Sequence, residues 1–310
     1  MESFSQEQDL VTELAKVIRR NPGLVAKSIY SIDKYKAQNK NYILETKTKK
    51  YFLKVYSSGS VDERVFELRL LNVLAEASVN FVPTTITKDP IIVNGLPVVI
   101  FEYLTGNTLL NHEISKETMR DVSGKLAVLH NILSDFNLGT KRRFDPFDFE
   151  FLEYFNLSAN IPEIAKALDI LRARFKDITH KDELPRTIIH DDLSPSNVMI
   201  TDDGELQFID FDDAHPSYRV CDLGTVLKEF VLQPSSAVNY QEVEEFILCY
   251  ESVPDTIRLT EYERALLLPM ALRRALFMYA YYRQAEQGRS HELLSVKEHD
   301  MIIRIMKELE

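Results

Sequence analysis

Three polar side chains between Asp192 and Asp210 have the types and the spacing that metal-assisted phosphoryl transfer requires. The chain reads His190-x-Asp192-Leu193-x-x-x-Asn197 and then, after a polar turn and a short apolar run, Asp210. A carboxylate can accept the proton of a hydroxyl group that attacks the γ-phosphorus of ATP, and we assign this role to Asp192. Asn197 and Asp210 carry the hard oxygen ligands that Mg²⁺ prefers. The segment therefore predicts a catalytic base beside a magnesium site.

This order of residues matches the kinase catalytic loop, H-R-D-L-x-x-x-N, with Asp191 in place of the arginine. Short apolar strands on both sides are expected to hold the polar residues at one end of a small hairpin. Asp and Asn are also common in ordinary turns, so the alternative is a set of solvated loop acids. Four residues at a template chosen beforehand arise by chance with a probability of roughly 10⁻³ or less, which favours catalysis. Asp212 and Asp213 either extend the metal site or are turn acids.

Two segments of the chain resemble a known group of enzymes. They are HDDLSPSNVM at 190–199 and FIDFDDAHPSYRVCDLG at 208–224, and they are similar to segments of the aminoglycoside phosphotransferase and choline kinase group of protein-kinase-like small-molecule kinases. Within that group the chain most resembles the type II homoserine kinases. The resemblance implies an α+β, two-lobed protein-kinase-like fold, with an antiparallel β-sheet N-lobe, a mostly helical C-lobe, and ATP and Mg²⁺ as cofactors. Glycine is usual where Asp191 stands here, and this second acid could repel the charge of Asp192 or help to bind a cation.

A lysine and a glutamate in the N-terminal part are predicted to serve the nucleotide. Lys54 is a charge inside the apolar strand Tyr51–Tyr56, and it needs an anionic partner, which the α- and β-phosphates of ATP supply. The alternative is an exposed lysine on an edge strand. In a helix expected from about 61 to 77, Glu67 resembles the family glutamate that pairs with this lysine. Glu63, one turn earlier, is the competing candidate.

Two further segments are expected to contact the nucleotide. The segment Gln38–Tyr42 lies where the family's nucleotide-covering loop falls, and Asn41 is our candidate there, although the segment contains no glycine. Backbone groups of Glu102 and Tyr103, at the end of a predicted hairpin strand, are expected to meet the adenine at the hinge between lobes. We therefore predict a nucleotide-binding lobe over residues 1–104 and a catalytic and substrate-binding lobe over residues 105–310.

The interval between Asp210 and Asp222 is only a dozen residues. A protein kinase needs a longer activation segment there, so a small hydroxyl compound is the expected acceptor. Protein kinase activity and a non-catalytic, nucleotide-binding relative are the alternatives. Asp222 resembles a family acid that braces the catalytic loop, and His130 resembles a structural histidine near the end of a helix expected from 115 to 133.

The expected acceptor is cationic or zwitterionic. Within LTEYERALLLPMALRRALFMYAYYRQ, which resembles the corresponding part of type II homoserine kinases, Arg273 and Arg274 could bind a carboxylate. Tyr279, Tyr281 and Tyr282 could make cation–π contacts with an amine. The alternative is a core helix with two surface arginines. An amino acid or amino alcohol suits both features and homoserine is the first candidate, with choline, ethanolamine, aminoglycosides and sugars as alternatives.

Composition and charge exclude some classes of binding partner. A net charge of −11 and a pI near 5.3 argue against nucleic acid and against an anionic membrane. Cys221 and Cys249 are too few for a disulfide framework and lack the spacing of a zinc site. The first residues carry neither a basic segment nor an apolar one, and the most apolar stretch is interrupted by arginines. A cytoplasmic location is therefore expected, whereas the oligomeric state cannot be predicted.

Overall fold

A computed structural model describes residues 2–18, 24–32, 39–110, 112–136, 145–155, 161–176, 178, 181–232, 238–284 and 289–310. The chain divides into two compact units by its contacts. The first contains Met1–Asn107 and Met199–Asp212, and the second contains Thr108–Val198 and Asp213–Glu310. The first unit thus includes the mid-chain segment Met199–Asp212, which lies within the predicted second lobe of residues 105–310.

The elements follow one another in the order expected of a sheet followed by helices. The strands are β1 (Ser28–Ser31), β2 (Lys40–Glu45), β3 (Lys50–Val55), β4 (Ile91–Val93), β5 (Leu96–Glu102), β6 (Gly106–Thr108), β7 (Arg186–Ile189), β8 (Val198–Thr201), β9 (Leu206–Phe208) and β10 (His215–Tyr218). The α-helices are α1 (Glu2–Ile18), α2 (Val61–Glu76), α3 (Lys116–Leu133), α4 (Glu150–Tyr154), α5 (Pro162–Lys176), α6 (Arg219–Val226), α7 (Tyr240–Glu251), α8 (Glu261–Gln284) and α9 (Arg289–Leu309). A π-helical segment, Leu227–Val231, continues α6.

The first unit is built on an antiparallel sheet with the strand order β1-β2-β3-β5-β4. Leu10, Leu14 and Ile18 recur at helical spacing, so they share one face of α1. That face packs into the same core as Leu53 and Ile100 of the sheet. Each such buried side chain stabilises the fold by about 1.5–3 kcal/mol before the entropy cost of ordering it.

Helix α2 in the first unit begins with a defined cap. The hydroxyl oxygen of Ser60 accepts a hydrogen bond from the backbone N–H of Glu63 at 3.3 Å, which satisfies one free donor of the first turn. Leu70 and Leu74 are buried on one face, and Glu67 is buried with them. The helix therefore carries a charged group into the interior of this unit, where it needs partners.

A small sheet with the order β6-β8-β9 leads the chain to Asp210. The backbone N–H of Phe208 donates to the carbonyl oxygen of Phe81 at 2.8 Å, and the two rings pack edge to face with centroids 5.6 Å apart. These contacts hold the end of β9 within the first unit. Asp210 follows two residues later with φ +70°.

The second unit is mostly helical and contains the antiparallel pair β7 and β10. Helices α6 and α8 are joined by a buried ion pair, in which Arg219 Nε and Nη2 donate to the two carboxylate oxygens of Glu263 at 2.7 and 2.9 Å. Glu263 also accepts from the backbone N–H of Thr260 at 3.0 Å, and its own N–H donates to the Thr260 hydroxyl at 3.1 Å. This capping box fixes where α8 begins. Within the described residues, none of the helices combines the length and the apolar character needed to cross a membrane.

Candidate active site

The loop that carries Asp192 starts where β7 ends. His215 on β10 pairs with Ile189 on β7, and the chain then turns through His190 and Asp191. Asp191 adopts φ +65°, a left-handed conformation that glycine, asparagine and aspartate tolerate better than other residues. This explains why aspartate can stand at a position that is usually glycine in the resembling enzymes.

Asp222 braces this loop, as the sequence analysis expected. Its two carboxylate oxygens accept hydrogen bonds from the backbone N–H groups of His190 and Asp191, at 2.7 and 2.8 Å. Its Oδ2 also lies 3.2 Å from Nε2 of His130, whose Nδ1 lies 2.8 Å from the Tyr250 hydroxyl. Burial opposes ionisation of Asp222, but the hydrogen bond and charge of His130 and the neighbouring donors hold its pKa below the usual value.

Asn197 holds the side chain of Asp192. Its Nδ2 donates to the carboxylate Oδ2 of Asp192 at 2.7 Å and to the backbone carbonyl of Asp192 at 2.8 Å. Because the amide nitrogen is used in these bonds, the Asn197 carbonyl oxygen is left as the donor atom for a cation. The residue therefore fits the predicted role of a Mg²⁺ ligand.

Arg274 on α8 forms an ion pair with Asp192 that the sequence analysis did not predict. Nη2 of Arg274 donates to the other carboxylate oxygen of Asp192, Oδ1. Nε of Arg274 lies 3.7 Å from Oε1 of Glu229, in the π-helical segment. Burial disfavours the charge on Arg274, but Asp192 and Glu229 raise its pKa. Asp192 is thus held from both sides, by Asn197 and by Arg274.

The network behind Arg274 continues to α9. Lys228, the neighbour of Glu229, donates from Nζ to Glu229 at 3.0 Å and to Glu298 at 2.7 Å. Burial raises the pKa of Glu298, whereas Lys228 and Arg274 overcome the effect of burial and lower the pKa of Glu229. A π-helical segment is uncommon and is frequent at functional sites. Here it places two charged side chains behind the arginine that contacts Asp192.

A pocket of the second unit opens beside Asp191. Its empty volume, including space open to solvent, is about 560 Å³. Its lining residues come from the segment before α4, from β7 and the loop that follows it, from β10, from α6 and from α8. They are Pro146, Ile189, Asp191, His215, Ser217, Cys221, Thr225, Met270, Arg273, Arg274 and Phe277.

None of the three predicted tyrosine partners of an amine is among the residues that line this pocket. Tyr282 lies near the charged network of Arg274 and Asp192, where burial and the charges of Glu298 and Glu229 raise its pKa. Tyr279 is buried beside His299, with ring centroids 5.9 Å apart. Tyr281 packs against Phe155 and Tyr282. The aromatic side chain of α8 that lines the pocket is Phe277, because successive residues of a helix face different directions.

Lys54 and Asp210 come together inside the first unit. Nζ of Lys54 donates to Oδ1 of Asp210 and, at 3.0 Å, to Oδ2 of Asp212. The lysine side chain is only 8% exposed, whereas that of Asp210 is 40% exposed. Burial disfavours the lysine charge, but the two carboxylates and Glu67 raise its pKa. The two acids supply hard oxygen ligands that fit a divalent cation, and the lysine supplies a charge that fits phosphate.

Asp212 belongs to this cluster and is more than a turn acid. Asn39 Nδ2 donates to its Oδ2 at 3.0 Å, and Nη1 of Arg64 lies 3.7 Å from the same oxygen. Burial opposes ionisation, but the charges of Lys54 and Arg64 and a hydrogen bond with Asp210 hold the pKa of Asp212 below its usual value. Asp212 therefore remains an anion in the cluster.

The structure departs from the predicted pairing of Lys54 with Glu67. Both carboxylate oxygens of Glu67 accept from the Tyr56 hydroxyl, at 3.0 and 2.9 Å, and Nη1 of Arg64 donates to Oε2 at 3.2 Å. Glu63, the competing candidate, is more exposed and binds Nη2 of Arg64 at 3.0 Å. Lys54 instead pairs with Asp210 and Asp212, whose carboxylates lie within hydrogen-bonding distance of its ammonium group. Glu67 acts on Lys54 only as a nearby buried charge.

The remaining predicted nucleotide contacts lie on the same sheet. Asn41 on β2 pairs with Lys54 on β3. The backbone N–H of Glu102 donates to the Thr84 carbonyl at 2.9 Å, so this N–H is not available to an adenine. Residue 38 of the predicted covering loop lies outside the described residues.

Comparisons with known proteins place this geometry among phosphotransferases. The sequence model of the phosphotransferase enzyme family, abbreviated APH, matches residues 35–255, which is more than half of the chain. A homoserine kinase of Bartonella tribocorum (strain CIP 105476 / IBS 506) is 25% identical over 238 residues, covering 74% of this chain and 73% of the relative.

Solved structures of kinases share the fold over nearly the whole chain. A microcompartment-associated aminopropanol kinase superposes with a TM-score of 0.71 at 19% identity, covering 96% of this chain and 95% of its own. Amicoumacin kinase, in complex with AMP-PNP, Ca²⁺ and its ligand, superposes with a TM-score of 0.69 at 15% identity, covering 98% of this chain and 92% of its own. At these identities the likeness concerns the fold alone. The predicted α+β, protein-kinase-like class, with an antiparallel N-terminal sheet and a helical C-terminal part, is confirmed.

Proposed function

We propose that this chain, which belongs to the phosphotransferase enzyme family and is a small-molecule kinase, acts on a small amino acid or amino alcohol. It transfers the γ-phosphoryl group of ATP to a hydroxyl group of that acceptor. One observation carries the proposal. Asp192 is held between Asn197 and Arg274, and the preceding residue, Asp191, lines a pocket of the second unit. A hydroxyl group bound in that pocket would lie next to the predicted base.

The residues of the chain have distinct parts in this reaction. Asp192 accepts or orients the hydroxyl proton, while Asn197 and Arg274 fix its carboxylate. Lys54 steadies the α- and β-phosphates, and Asn197 and Asp210 are the ligands for Mg²⁺. Bound MgATP supplies the phosphoryl group and the metal charge that offsets the phosphate oxygens.

Homoserine is the first candidate for the acceptor. Its support is the likeness to homoserine kinases over about three quarters of the chain and the arginine, Arg273, that lines the pocket. A carboxylate is what a buried guanidinium group binds best. The likeness in fold to an aminopropanol kinase makes amino alcohols the second candidate, and these lack a carboxylate.

The test is ³¹P NMR of the protein with MgATP and a panel of hydroxyl compounds: homoserine, ethanolamine, 3-aminopropanol, choline, an aminoglycoside and a sugar. We expect a new phosphomonoester signal with homoserine. Asp192→Asn should abolish it, because the amide cannot accept the proton. Asp169→Asn is the matched control, since Asp169 is exposed on α5 and pairs only with nearby Arg172 in the described contacts.

Two results would contradict the proposal. An ester signal of equal intensity from Asp192→Asn would remove Asp192 as the base. A wild-type enzyme that phosphorylates only the sugar or the aminoglycoside would remove the small amino acid and amino alcohol class, while leaving the kinase activity itself in place.

A further inference from the structure

The acceptor pocket is bordered by two charged side chains of opposite sign. Asp191 lies on the catalytic loop and Arg273 lies on α8, and both line the same cavity. A third charge, Arg274, also lines it, but Asp192 and Glu229 already neutralise that arginine. The question is whether Asp191 and Arg273 have comparable partners within the protein.

Arg273 has no carboxylate partner within 4.0 Å in the described part of the chain. Nη2 donates to the backbone carbonyl of Asp145 at 3.2 Å, and the guanidinium group lies 5.3 Å from the Phe151 ring centroid. Its Nε is buried and has no hydrogen-bond partner among the described residues. Burial lowers the pKa of Arg273 although the charges of Asp191, Asp148 and Asp145 oppose this shift, whereas the pKa of neighbouring Arg274 is raised.

Asp191 is also incompletely paired. Its backbone N–H donates to Asp222 and its backbone carbonyl accepts from Arg274 at 3.4 Å, so the main chain is fixed. Its carboxylate has only a distant contact in the described structure, with Nδ1 of His215 at 3.9 Å. The side chain is 33% exposed, which leaves the carboxylate accessible to a ligand.

Leaving a guanidinium group buried without an anion is costly. Asp191 and Arg273 do not satisfy each other, because they form no ion pair within 4.0 Å. Among the described residues the pocket thus has one cation without a carboxylate within 4.0 Å and one accessible anion, and it is complementary to a ligand that carries both charges. An uncharged sugar or diol would leave both protein charges unpaired.

We infer that Asp191 and Arg273 are the residues that select the acceptor, and that they select a zwitterion: Arg273 binds its carboxylate and Asp191 binds its ammonium group. This inference rests on the proposed function, since the pocket is taken as the acceptor site. It assigns a role in substrate selection to Asp191, the residue that precedes the predicted base. It also predicts that the pocket discriminates between amino acids and amino alcohols. An amino alcohol has an ammonium group for Asp191 but no carboxylate for Arg273.

The experiment measures ligand binding by isothermal titration calorimetry of the full chain without ATP. Four compounds with a terminal hydroxyl group form a charge series: L-homoserine has both charges, 3-aminopropanol has only the ammonium group, 4-hydroxybutyrate has only the carboxylate, and propane-1,3-diol has neither. We expect homoserine to bind at least about tenfold more tightly than either singly charged compound, and the diol to bind weakest.

Two variants assign each charge to its residue. Arg273→Met should weaken homoserine and 4-hydroxybutyrate by about 10- to 100-fold and leave 3-aminopropanol nearly unchanged. Asp191→Asn should weaken homoserine and 3-aminopropanol by a similar factor and leave 4-hydroxybutyrate nearly unchanged. Asparagine tolerates the left-handed backbone at this position, so the loop should keep its conformation.

The controls separate charge recognition from loss of structure. Arg264 lies on the same helix but pairs with Glu244 and Glu251 outside the pocket. The Arg264→Met variant should therefore bind all four compounds as the wild type does. Arg273→Lys keeps the cation and should retain part of the carboxylate preference. Comparison of the four ligands within one variant is insensitive to a general loss of stability.

Equal affinity of the wild type for the four compounds would overturn the inference, as would a variant that weakens all charged ligands equally. These outcomes are independent of turnover. If the ³¹P experiment detects phosphorylation while the charge series shows no selectivity, the inference fails and the proposed function stands. If the charge series behaves as expected and no ester forms from any compound, the proposed function fails while zwitterion binding is supported.

Discussion

Two adjacent arginines of α8 show how much a residue's role depends on its direction. Arg274 pairs with Asp192 and Glu229, whereas Arg273, which also lines the pocket, has no carboxylate within 4.0 Å among the described residues. Neighbouring positions on a helix point about 100° apart, so the same residue type meets different partners. One arginine therefore positions the predicted base, and the other is available to a ligand.

Removal of Arg274 should impair turnover more than substrate binding. Arg274→Met leaves Asp192 held only by Asn197, and we expect kcat to fall about 10- to 100-fold with little change in the KM for ATP, as for the loss of a group that positions a catalytic side chain. Arg274→Lys should recover part of the activity because it restores a cation. Steady-state kinetics with Arg264→Met as the matched control test this, and an unchanged kcat in Arg274→Met would contradict it.

Glu67 and Glu63 of α2 were the two candidates for the partner of Lys54. Removal of each should lower the free energy of unfolding by a different amount. Glu67→Ala leaves the buried Tyr56 hydroxyl without its acceptor and removes a partner of Arg64, so the free energy of unfolding should fall by about 2–3 kcal/mol. Glu63→Ala removes a more exposed contact with the same arginine and should cost less than about 1 kcal/mol. Urea denaturation of both variants measures the difference, and equal losses would contradict the assignment.

At the scale of elements, the brace between α6 and the catalytic loop should make stability depend on pH. The folded pKa of Asp222 is below its unfolded value of about 3.9, so its contribution is present above that pH and is lost as the pH falls through the folded pKa. Asp222→Asn should be less stable than the wild type by about 3 kcal/mol at pH 7, and the difference should narrow below about pH 4. Urea denaturation between pH 7 and 3.5, with Asp169→Asn as control, tests the sign. A difference that widens in acid would contradict it.

Substitution by alanine should have opposite effects on stability at two helical glycines of the second unit. A Cβ at Gly224 on α6 would lie 2.3 Å from the Met270 Cβ on α8, so Gly224→Ala should destabilise the protein by about 1–3 kcal/mol. At Gly124 on α3 the nearest atom would be 3.9 Å away, in Val253, so Gly124→Ala should stabilise it by about 0.5–1 kcal/mol. Thermal unfolding of the two variants gives the signs, and destabilisation by both would contradict the packing argument.

At the scale of the whole molecule, binding of MgATP should stabilise the folded chain. A ligand at about 100 times its Kd adds about 2.7 kcal/mol, which corresponds to a rise in Tm of about 4 °C for a chain of this length. Asp210→Ala should lose most of this rise because it removes a predicted Mg²⁺ ligand. The variant should still fold, since Lys54 keeps Asp212 as a partner at 3.0 Å. Differential scanning fluorimetry with and without MgATP measures both effects, and a full rise in Asp210→Ala would contradict the metal assignment.

Much of the identity of the protein was determined by the sequence alone. The motif from His190 to Asp210 is short, and its spacing along the chain reports its chemistry directly, so the predicted resemblance to phosphotransferases is confirmed. The antiparallel sheet and the helical C-terminal part also follow from local patterns, because side-chain periodicity and turn residues act over a few positions. The roles of Lys54, Asp192, Asn197 and Asp210 stay predictions that the experiments above test.

The partners of the charged residues were decided only by the tertiary structure. Lys54 pairs with Asp212, which is 158 positions away in the chain, and Lys228 pairs with Glu298, which is 70 positions away. Nothing in the local sequence of α8 distinguishes Arg273 from Arg274, yet among the described residues only Arg274 has carboxylates within 4.0 Å. Ion pairs of this kind form only when distant elements pack at one relative rotation and translation, and no local periodicity encodes that arrangement.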